Sequence, residues 1–460
     1  MRMKLKPWNP SERAATRWRW LILMIYTLII IAPAILSTSL GAVGHADDTL
    51  ARIGGNLALS GFTMVCLQFV LSSRIGWIES AFGLDAVLRF HRKVGFWAGI
   101  FLLAHPLLMA AGEAGAPLLY ATDVDPFIWL GRAGLLVLII QILGSIYRAN
   151  LRLPYETWRK FHNIAAWAVL LLGFFHSLWG GSSLEAWPLR IYWIVILATA
   201  IGANVWHKFL RPRELRKRPF RVVSVVAETD EVHTVTLEAA DGGRTEDFLP
   251  GQFHFLTPLR TAAEIPAQEH PFTISSCPTD RKRISSSIKQ SGDFTSRIPD
   301  IAKDDLFTLH GPFGRFSYRL HPEETRLLFI AGGIGITPLM SMLRHMRNTR
   351  RDDLRITLLY ANKTEGSIAF RDELEGIASG DFPQLEIIHV LSKPDENWKG
   401  ESGHISKDLL AESLNQPGQS ETDSTGIYLC GPPAMMKEIK EILNDLGVSE
   451  NRIHLEAFEF

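Results

Sequence analysis

The amino-acid sequence predicts an α-helical membrane domain of six spans, followed by a small β-barrel and then a parallel, doubly wound α/β domain. Nearly all the long apolar runs lie before residue 210. After them come short alternating strand patterns separated by Gly/Pro turns, which are typical of a small barrel. Beyond Pro322 the pattern becomes strand, turn and amphipathic helix in repetition, which indicates a parallel sheet. We therefore expect domains at 1–208, 209–321 and 322–460.

Six segments are long enough to cross a bilayer, which takes about 20 mostly apolar residues. They run near 20–40, 54–73, 92–112, 127–147, 161–181 and 187–208. Lys and Arg cluster before the first span, after the sixth, and in the loops after the second and fourth. Because basic loops stay in the cytoplasm, we expect a multi-pass protein of the cytoplasmic membrane with both termini inside. The formal net charge of +0 gives no sign of a nucleic-acid partner.

Two apolar spans each carry a pair of histidines fourteen residues apart. His91 and His105 lie on the third span, and His162 and His176 lie on the fifth. Fourteen helical residues return to within about 40° of the starting direction and rise about 21 Å. Since the two spans run in the same direction, His91 is expected to face His162 at the inner level, and His105 to face His176 at the outer level.

Imidazole is a common ligand of haem iron, and two imidazoles fill both axial positions of one iron. The four histidines therefore predict two haems, which would carry electrons across the bilayer. No Cys-x-x-Cys-His motif is present, so both haems are expected to be non-covalent, b-type groups. Histidines that hydrogen-bond between helices, or that relay protons, are the alternatives. The matched spacing on two parallel spans favours haem over both.

Several motifs of the second half suit a flavin and a nicotinamide dinucleotide. Gly332, Gly333 and Gly335 would let backbone amides approach a pyrophosphate at a helix N-terminus. Phe272 could lie against a flat ring, and Thr273 could hydrogen-bond the edge of that ring. Taken singly, each feature is explained as well by a tight turn or by barrel packing.

The order of these motifs carries more information than any one of them. The motifs are, in sequence order, "PGQF", "HPFTISS", "GPFG", "AGGIGITP", "LCGPPAMM" and the C-terminal "HLEAFEF". In this order they resemble the flavin and pyridine-nucleotide module of the ferredoxin–NADP reductase superfamily. With the four histidines in front, residues 20–460 resemble the NADPH oxidase and transmembrane ferric reductase family, and specifically its compact bacterial members.

This resemblance implies a set of FAD contacts, with Phe272 beside the isoalloxazine and Thr273 near its reactive nitrogen. The residues implied to contact the ring system are His270, Pro271, Phe272 and Thr273. Those implied to hold the FAD phosphates are Lys289, Gly292, Phe294 and Thr295.

The resemblance also implies a nucleotide site and a C-terminal aromatic cover over the flavin. The residues implied to meet the dinucleotide are Gly332, Gly333, Gly335 and Thr337, with Cys430, Gly431 and Pro432 near the nicotinamide. Phe458 and Phe460 are both candidates for the aromatic residue that covers the flavin until the nicotinamide displaces it. Thr273, Cys430 and one of these aromatic residues are therefore expected at the site of hydride transfer.

The function implied is an NAD(P)H oxidase that passes electrons through FAD and two haems to an acceptor outside, with O2 giving superoxide as the first choice. A ferric-chelate reductase, an electron donor to a periplasmic protein, and a redox-gated proton channel or sensor are the alternatives. Lys363 and Arg371 could bind the 2′-phosphate of NADPH, but they leave NADPH and NADH both open. The chain lacks a D-x-D-x-D-G calcium loop, and we expect no obligatory protein partner.

Overall fold

The computed structural model describes residues 12–41, 48–112, 114–180, 182–414 and 425–457. The chain divides into two compact units. The membrane unit is Thr16–Arg211, and the second unit consists of Pro212–Phe460 together with Met1–Ala15.

The membrane unit is entirely helical in its described elements. Its helices are α1 (Glu12–Ser39), α2 (Thr49–Leu71), α3 (Gly76–Phe82), α4 (Leu84–Ala111), α5 (Pro117–Tyr120), α6 (Pro126–Ile146), α7 (Tyr155–Gly180), α8 (Trp187–Val205) and α9 (Arg211–Arg216). A π-helical turn at Trp206–Leu210 joins α8 to α9. Among the described residues, six helices are long and apolar enough to cross a membrane, as the sequence predicted. They are α1, α2, α4, α6, α7 and the continuous stretch from α8 to α9.

Helix α2 lies at the centre of this unit and packs against α4 and α8, while α7 packs against α6. The central core joins α2 to α8 through Phe62 and Trp193, whose rings stack with their centroids 5.0 Å apart. Small residues such as Ala98 of α4 complete the core and allow the helices to approach closely. Asp48 begins α2 as its N-cap, since its carboxylate accepts a hydrogen bond from the backbone of Ala51.

The first sheet of the second unit has six antiparallel strands in the order β4-β3-β6-β1-β2-β5. The strands are β1 (Phe220–Thr229), β2 (Val232–Ala239), β3 (Phe253–Arg260), β4 (His270–Thr273), β5 (Arg283–Lys289) and β6 (Leu306–Phe313). Just after β4, the backbone of Ser275 donates to the carbonyl of Ser285 on β5 over 2.8 Å. This bond brings the two outer strands together, but within the described residues no ladder joins β4 to β5. A closed barrel therefore stays a prediction.

The second sheet is parallel throughout, as predicted, and its strand order is β10-β9-β8-β7-β11-β12. Its strands are β7 (Arg326–Gly332), β8 (Arg355–Asn362), β9 (Gln384–Leu391), β10 (Glu401–Ser402), β11 (Thr425–Cys430) and β12 (Ile453–Glu456). The helices are α10 (Ile336–Asn348), α11 (Arg371–Ala378), α12 (Lys407–Leu414) and α13 (Pro433–Asp445). From β7 the chain builds the sheet outward on one side through β8, β9 and β10, and then returns to the other side of β7 to add β11 and β12. In sheets of this kind, ligands bind at the carboxyl ends of the two strands where the direction of addition changes, here β7 and β11.

Helix α10 connects the two sheets. Arg344 donates from Nη1 to the carbonyl of Ser275 over 2.6 Å and forms a two-pronged ion pair with Glu373. Ser341 donates to the carbonyl of Ser276 over 2.7 Å. These bonds fix the segment that follows β4 against the nucleotide-binding half of the unit.

Candidate functional site

The structure brings the four membrane histidines together as two pairs. The ring centroids of His91 and His162 are 6.3 Å apart, and those of His105 and His176 are also 6.3 Å apart. His91 and His105 project from α4, and their partners project from α7. The pairing and its two levels are those expected from the fourteen-residue spacing.

The separation within each pair leaves room for one metal ion between the rings. A metal–imidazole bond is about 2 Å long, so two imidazoles on opposite sides of one ion would have ring centres roughly 6 Å apart. The observed 6.3 Å fits this arrangement in both pairs. It is too long for a direct hydrogen bond between the two imidazoles, whose ring centres would then be about 5 Å apart. The two pairs could therefore each hold the iron of one haem.

The outer pair is oriented by backbone carbonyls. His105 Nδ1 lies 3.1 Å from the carbonyl oxygen of Gly54, and His176 Nδ1 lies 2.8 Å from that of Phe127. A carbonyl oxygen only accepts hydrogen bonds, so each Nδ1 carries the proton and donates. Nε2 of each ring then keeps its lone pair, which is the form that binds iron.

Two glutamines border the inner pair instead, Gln141 through its side chain and Gln68 through its backbone. Gln141 Nε2 lies 3.4 Å from His162 Nδ1, and rotation of the amide would present its oxygen as an acceptor. Nδ1 of His91 and both polar atoms of the Gln68 side chain are buried without a hydrogen-bond partner among the described residues. Buried polar atoms in a membrane protein are normally satisfied, so these atoms are consistent with a bound polar group at the inner level.

The expected flavin contacts lie on and beside β4, where three flat side chains form one stack. His270 and Phe294 have ring centroids 4.1 Å apart at 28°, and Phe272 lies 6.0 Å from Phe294 at 24°. Pro271 pairs with Phe255 in the ladder between β4 and β3. Thr273 is buried, and its hydroxyl has no hydrogen-bond partner among the described residues. An unsatisfied hydroxyl beside aromatic faces suits the polar edge of an isoalloxazine.

The residues expected at the FAD phosphates occupy the turn after β5. Gly292 has φ +129° and open space around it, so its backbone is exposed to a ligand. Thr295 accepts a hydrogen bond from the backbone of Ser291 over 2.7 Å, and Lys289 pairs with Glu231 over 3.0 Å. Phe294 differs from the other three, because its ring is buried in the stack with His270.

The expected nucleotide residues form two loops that touch at the carboxyl ends of β7 and β11. A Cβ atom at Gly335 would lie 2.2 Å from the carbonyl oxygen of Cys430, so only glycine permits this approach. A Cβ atom at Gly332 would similarly lie 2.7 Å from Pro432. Gly333 has φ +53°, in the left-handed region that favours glycine. The predicted residues of both motifs are therefore gathered at one place.

Two further predicted residues, Thr337 and Cys430, have neighbours that bear on their roles. The hydroxyl of Thr337 donates to the carbonyl of Ile334 over 3.0 Å, which closes the glycine-rich turn. Burial, and then the charge of Glu456, raises the pKa of the Cys430 thiol well above its ordinary value, so this cysteine stays a neutral thiol.

The two basic residues considered for the 2′-phosphate differ in environment. Lys363 is exposed just after β8. Arg371 pairs with Glu365 and, over 3.1 Å, with Glu375, so two carboxylates already offset its charge. Phe458 and Phe460, the two candidates for the aromatic cover, lie outside the described residues.

Comparison with known protein families matches all three parts of the chain. Residues 57–173 match the family described as ferric reductase-like transmembrane component. Residues 218–314 match an FAD-binding domain, and residues 329–441 match an oxidoreductase NAD-binding domain. The chain belongs to the ferric reductase and NADPH oxidase family. The chain therefore combines six candidate membrane spans with an FAD-binding domain and an NAD-binding domain of the oxidoreductase type.

Individual curated relatives match about a third of the chain. NADH-cytochrome b5 reductase 2 of Mus musculus is 32% identical over 171 residues, which are 34% of this chain and 60% of the relative. The Rattus norvegicus protein of the same name is 31% identical over 188 residues, 37% of this chain and 67% of the relative. The chain thus spans about half to two thirds of the length of the curated relatives it matches.

One solved structure is similar over about half of this chain. The cytochrome b5 reductase domain of Ulva prolifera nitrate reductase superposes with a TM-score of 0.45 at 23% identity. It covers 52% of this chain and 98% of the solved chain.

Some residues of these sites were not anticipated from the sequence. Gly131 of α6 lies against His176, and a Cβ atom there would come within 2.7 Å of the ring. Gly54, Gln68 and Gln141 also border the histidines. A glycine or a glutamine in an apolar helix can be recognised in the sequence as unusual. The sequence does not indicate which histidine it will contact.

Proposed function

We propose that this protein is a transmembrane NAD(P)H oxidase that moves electrons from NAD(P)H in the cytoplasm to O2 on the outer side and yields superoxide. The observation that carries the proposal is the pair of equal 6.3 Å separations, His91 to His162 and His105 to His176, on the same two helices. One isolated pair would suit a structural contact. Two pairs at two levels suit two haems in series across the membrane.

The cofactors supply the redox chemistry: FAD takes a hydride and gives single electrons, and haem carries single electrons. The protein supplies position and protonation state. The Nδ1 hydrogen bonds of His105 and His176 to backbone carbonyls hold both rings in the tautomer that leaves Nε2 for iron. Gln141 would do the same for His162, and His91 would complete the inner pair.

The second unit is proposed to bind FAD against the stack of His270, Phe272 and Phe294 and to donate to its edge from Thr273. Pro271 lies opposite Phe255 of β3, on a strand at the edge of the sheet, where a residue without a backbone N–H is tolerated. Lys289, Gly292 and Thr295 would bind the phosphates at the turn after β5. The pairing of Lys289 with Glu231 would then be exchanged for a phosphate contact.

NAD(P)H is proposed to bind at the two touching loops, with its pyrophosphate at Gly332, Gly333, Gly335 and Thr337 and its nicotinamide beside Cys430, Gly431 and Pro432. The close approach of Gly335 to Cys430 brings both loops to one ligand. The neutral thiol of Cys430 would pack against the nicotinamide rather than react with it. Phe458 or Phe460 would cover the flavin when no nicotinamide is present. Lys363 is exposed and remains the better candidate for a 2′-phosphate contact.

Oxygen is proposed as the acceptor because each haem would be held by two histidines, and electron transfer to O2 without direct binding to the iron needs no substrate pocket. The match of residues 57–173 to a ferric reductase component favours a ferric complex as the second candidate. The basic loops favour a cytoplasmic membrane with both termini inside.

The proposal is tested by anaerobic stopped-flow spectroscopy of the purified chain, loaded with FAD and haem, in detergent. NADPH or NADH is added, the haem bands are followed, and oxygen or a ferric chelate is then admitted in separate runs. The proposal predicts haem reduction followed by rapid reoxidation by oxygen with superoxide detected. Slow reaction with oxygen but fast reoxidation by iron would identify the ferric reductase. A protein without haem bands would contradict the proposal.

A further inference from the structure

A cluster of metal-binding side chains lies in the α/β half, apart from every residue proposed above. Its members are His321, Glu324 and His454. Each offers one nitrogen or oxygen atom, and these atoms all lie within 4.8 Å of one another. The side chain of Glu324 is 4% exposed, and those of His321 and His454 are 14% and 13% exposed. Ionisable side chains are rarely so buried unless they pair with one another or bind an ion.

The cluster lies across three adjacent strands. Glu324 comes two residues before β7, Tyr428 lies on β11, and His454 lies on β12. These strands are neighbours in the order β7-β11-β12. Because Glu324 precedes its strand, the cluster lies toward the amino ends of the strands, whereas the nucleotide loops follow their carboxyl ends. A ligand bound here would not compete with NAD(P)H.

The carboxylate of Glu324 is held in one orientation. Tyr428 donates to its Oε2 over 2.7 Å, and Oε1 lies 2.7 Å from His454 Nε2. A Cβ atom at position 426 would come within 2.0 Å of the carboxylate, so Gly426 makes the space that it occupies. A carboxylate oriented by a hydrogen bond from a neighbouring side chain is a usual feature of protein metal sites.

The two imidazoles converge on this carboxylate. The rings of His321 and His454 have centroids 4.0 Å apart at 34°. Glu323 adds a second carboxylate, with Oε1 3.9 Å from His321 Nδ1. Two imidazoles and a buried carboxylate, with a second acid at the rim, match the ligand preference of a divalent ion such as Zn²⁺.

We infer that His321, Glu324 and His454 bind one divalent metal ion of the zinc type and that the ion fastens β12 to the segment before β7. The ion takes the place of the proton between His454 Nε2 and Glu324 Oε1, and the imidazole then carries its single proton on Nδ1. Tyr428 keeps its hydrogen bond to Oε2. Since β12 forms the edge of its sheet and pairs only with β11 among the described strands, it gains most from such a crosslink.

The test is zinc binding by the full chain, loaded with haem and FAD, in detergent. Zinc is equilibrated by dialysis and counted by elemental analysis in wild type and in H321Q, E324Q and H454Q. The matched control is H404Q, because His404 is exposed and lies away from the cluster. We expect one zinc per chain in wild type and in H404Q, and binding at least tenfold weaker in each of the three cluster variants. The FAD and haem content of each variant shows whether it is folded.

X-ray absorption at the zinc edge of wild-type protein measures the identity and distance of the zinc ligands without any use of the variants. The inference predicts nitrogen and oxygen ligands at about 2.0–2.1 Å, with the scattering of two imidazoles. Wild type that binds no zinc, or zinc binding that is equal in wild type and H454Q, would overturn the inference. Sulfur ligands in the absorption spectrum would overturn it as well.

Discussion

The ring of His176 lies against Gly131 so closely that a methyl group at position 131 would come within 2.7 Å of two ring atoms. Gly131 is on α6 and His176 is on α7, the two helices that pack together beside the outer histidine pair. This contact holds the imidazole at the level of His105. The proposed outer haem site therefore depends on a residue that would not itself touch the iron.

We expect Gly131→Ala to reduce bound haem from two per chain to about one. The added methyl group displaces the His176 ring, and the His91 and His162 pair is left intact. Haem is counted against protein in purified samples by the pyridine haemochrome spectrum.

Gly144→Ala is the matched control for this variant. It introduces the same methyl group in the same helix, where no atom lies within 4 Å. The control should keep two haems. If Gly131→Ala also kept two haems with unchanged spectra, the contact would have no part in the outer site.

Thr273→Val should slow reduction of the flavin by NAD(P)H on the order of tenfold while FAD stays bound. The substitution keeps the shape of the side chain but removes a hydroxyl that is buried and has no protein partner among the described residues. A hydrogen bond made to the flavin is worth about 1 kcal/mol or somewhat more. The measurement is anaerobic stopped-flow absorbance of the flavin. The control is Thr308→Val, at another buried threonine of the same sheet. Equal rates in the two variants would contradict a flavin role for Thr273.

Gly335→Ala should raise the KM for NAD(P)H at least tenfold. The new methyl group would lie 2.2 Å from the carbonyl oxygen of Cys430, and because that atom belongs to the backbone, the two loops must separate. Gly366→Ala adds a methyl group in open space in the same domain and should leave KM unchanged. Steady-state kinetics with an artificial acceptor make the comparison. An unchanged KM in Gly335→Ala would show that the loops do not form one site.

The free energy of unfolding of the FAD-binding half should decrease as the pH is lowered, because of His254. Burial lowers the pKa of this histidine to about 3, and its Nε2 lies 2.8 Å from the hydroxyl of Ser286. The unfolded chain takes up a proton near pH 6.5, whereas the folded imidazole stays neutral, so protons favour unfolding between pH 6.5 and pH 3. Over this window His254 removes about 1.4 kcal/mol of the free energy of unfolding for each pH unit.

His254→Gln keeps a polar group beside Ser286 but cannot take up this proton. The temperature at which bound FAD is released should therefore fall less steeply from pH 7 to pH 4 in this variant than in wild type. His404→Gln, at an exposed histidine, should keep the wild-type slope. Parallel curves for wild type and His254→Gln would contradict the prediction.

The parts of this fold that depend on local periodicity could be predicted from the sequence. Hydropathy gave the six spans, and the helical repeat placed His91 opposite His162 and His105 opposite His176. The glycine-rich turn after β7 was also apparent, because the chain there needs a positive φ at Gly333.

The parts that depend on packing between distant segments could not be predicted. Phe294 was expected beside a phosphate, but its ring stacks on His270, because the turn after β5 folds back onto β4. Arg371 was considered for a 2′-phosphate, and the structure places it between two carboxylates of its own domain. In both cases the sequence gives the residue type but not the neighbour that determines its environment.

The most direct test of transmembrane electron transfer uses sealed vesicles containing the protein loaded with FAD and haem. Cytochrome c is trapped inside, oxygen is removed, and NADPH is added outside, where it reaches only the second units that face outward. The account predicts that the trapped cytochrome c is reduced, and that His105→Leu stops this reduction while NADPH still reduces the flavin. If the trapped cytochrome c were reduced equally by the His105→Leu protein, or were not reduced by wild type, electrons would not cross the membrane through the paired histidines.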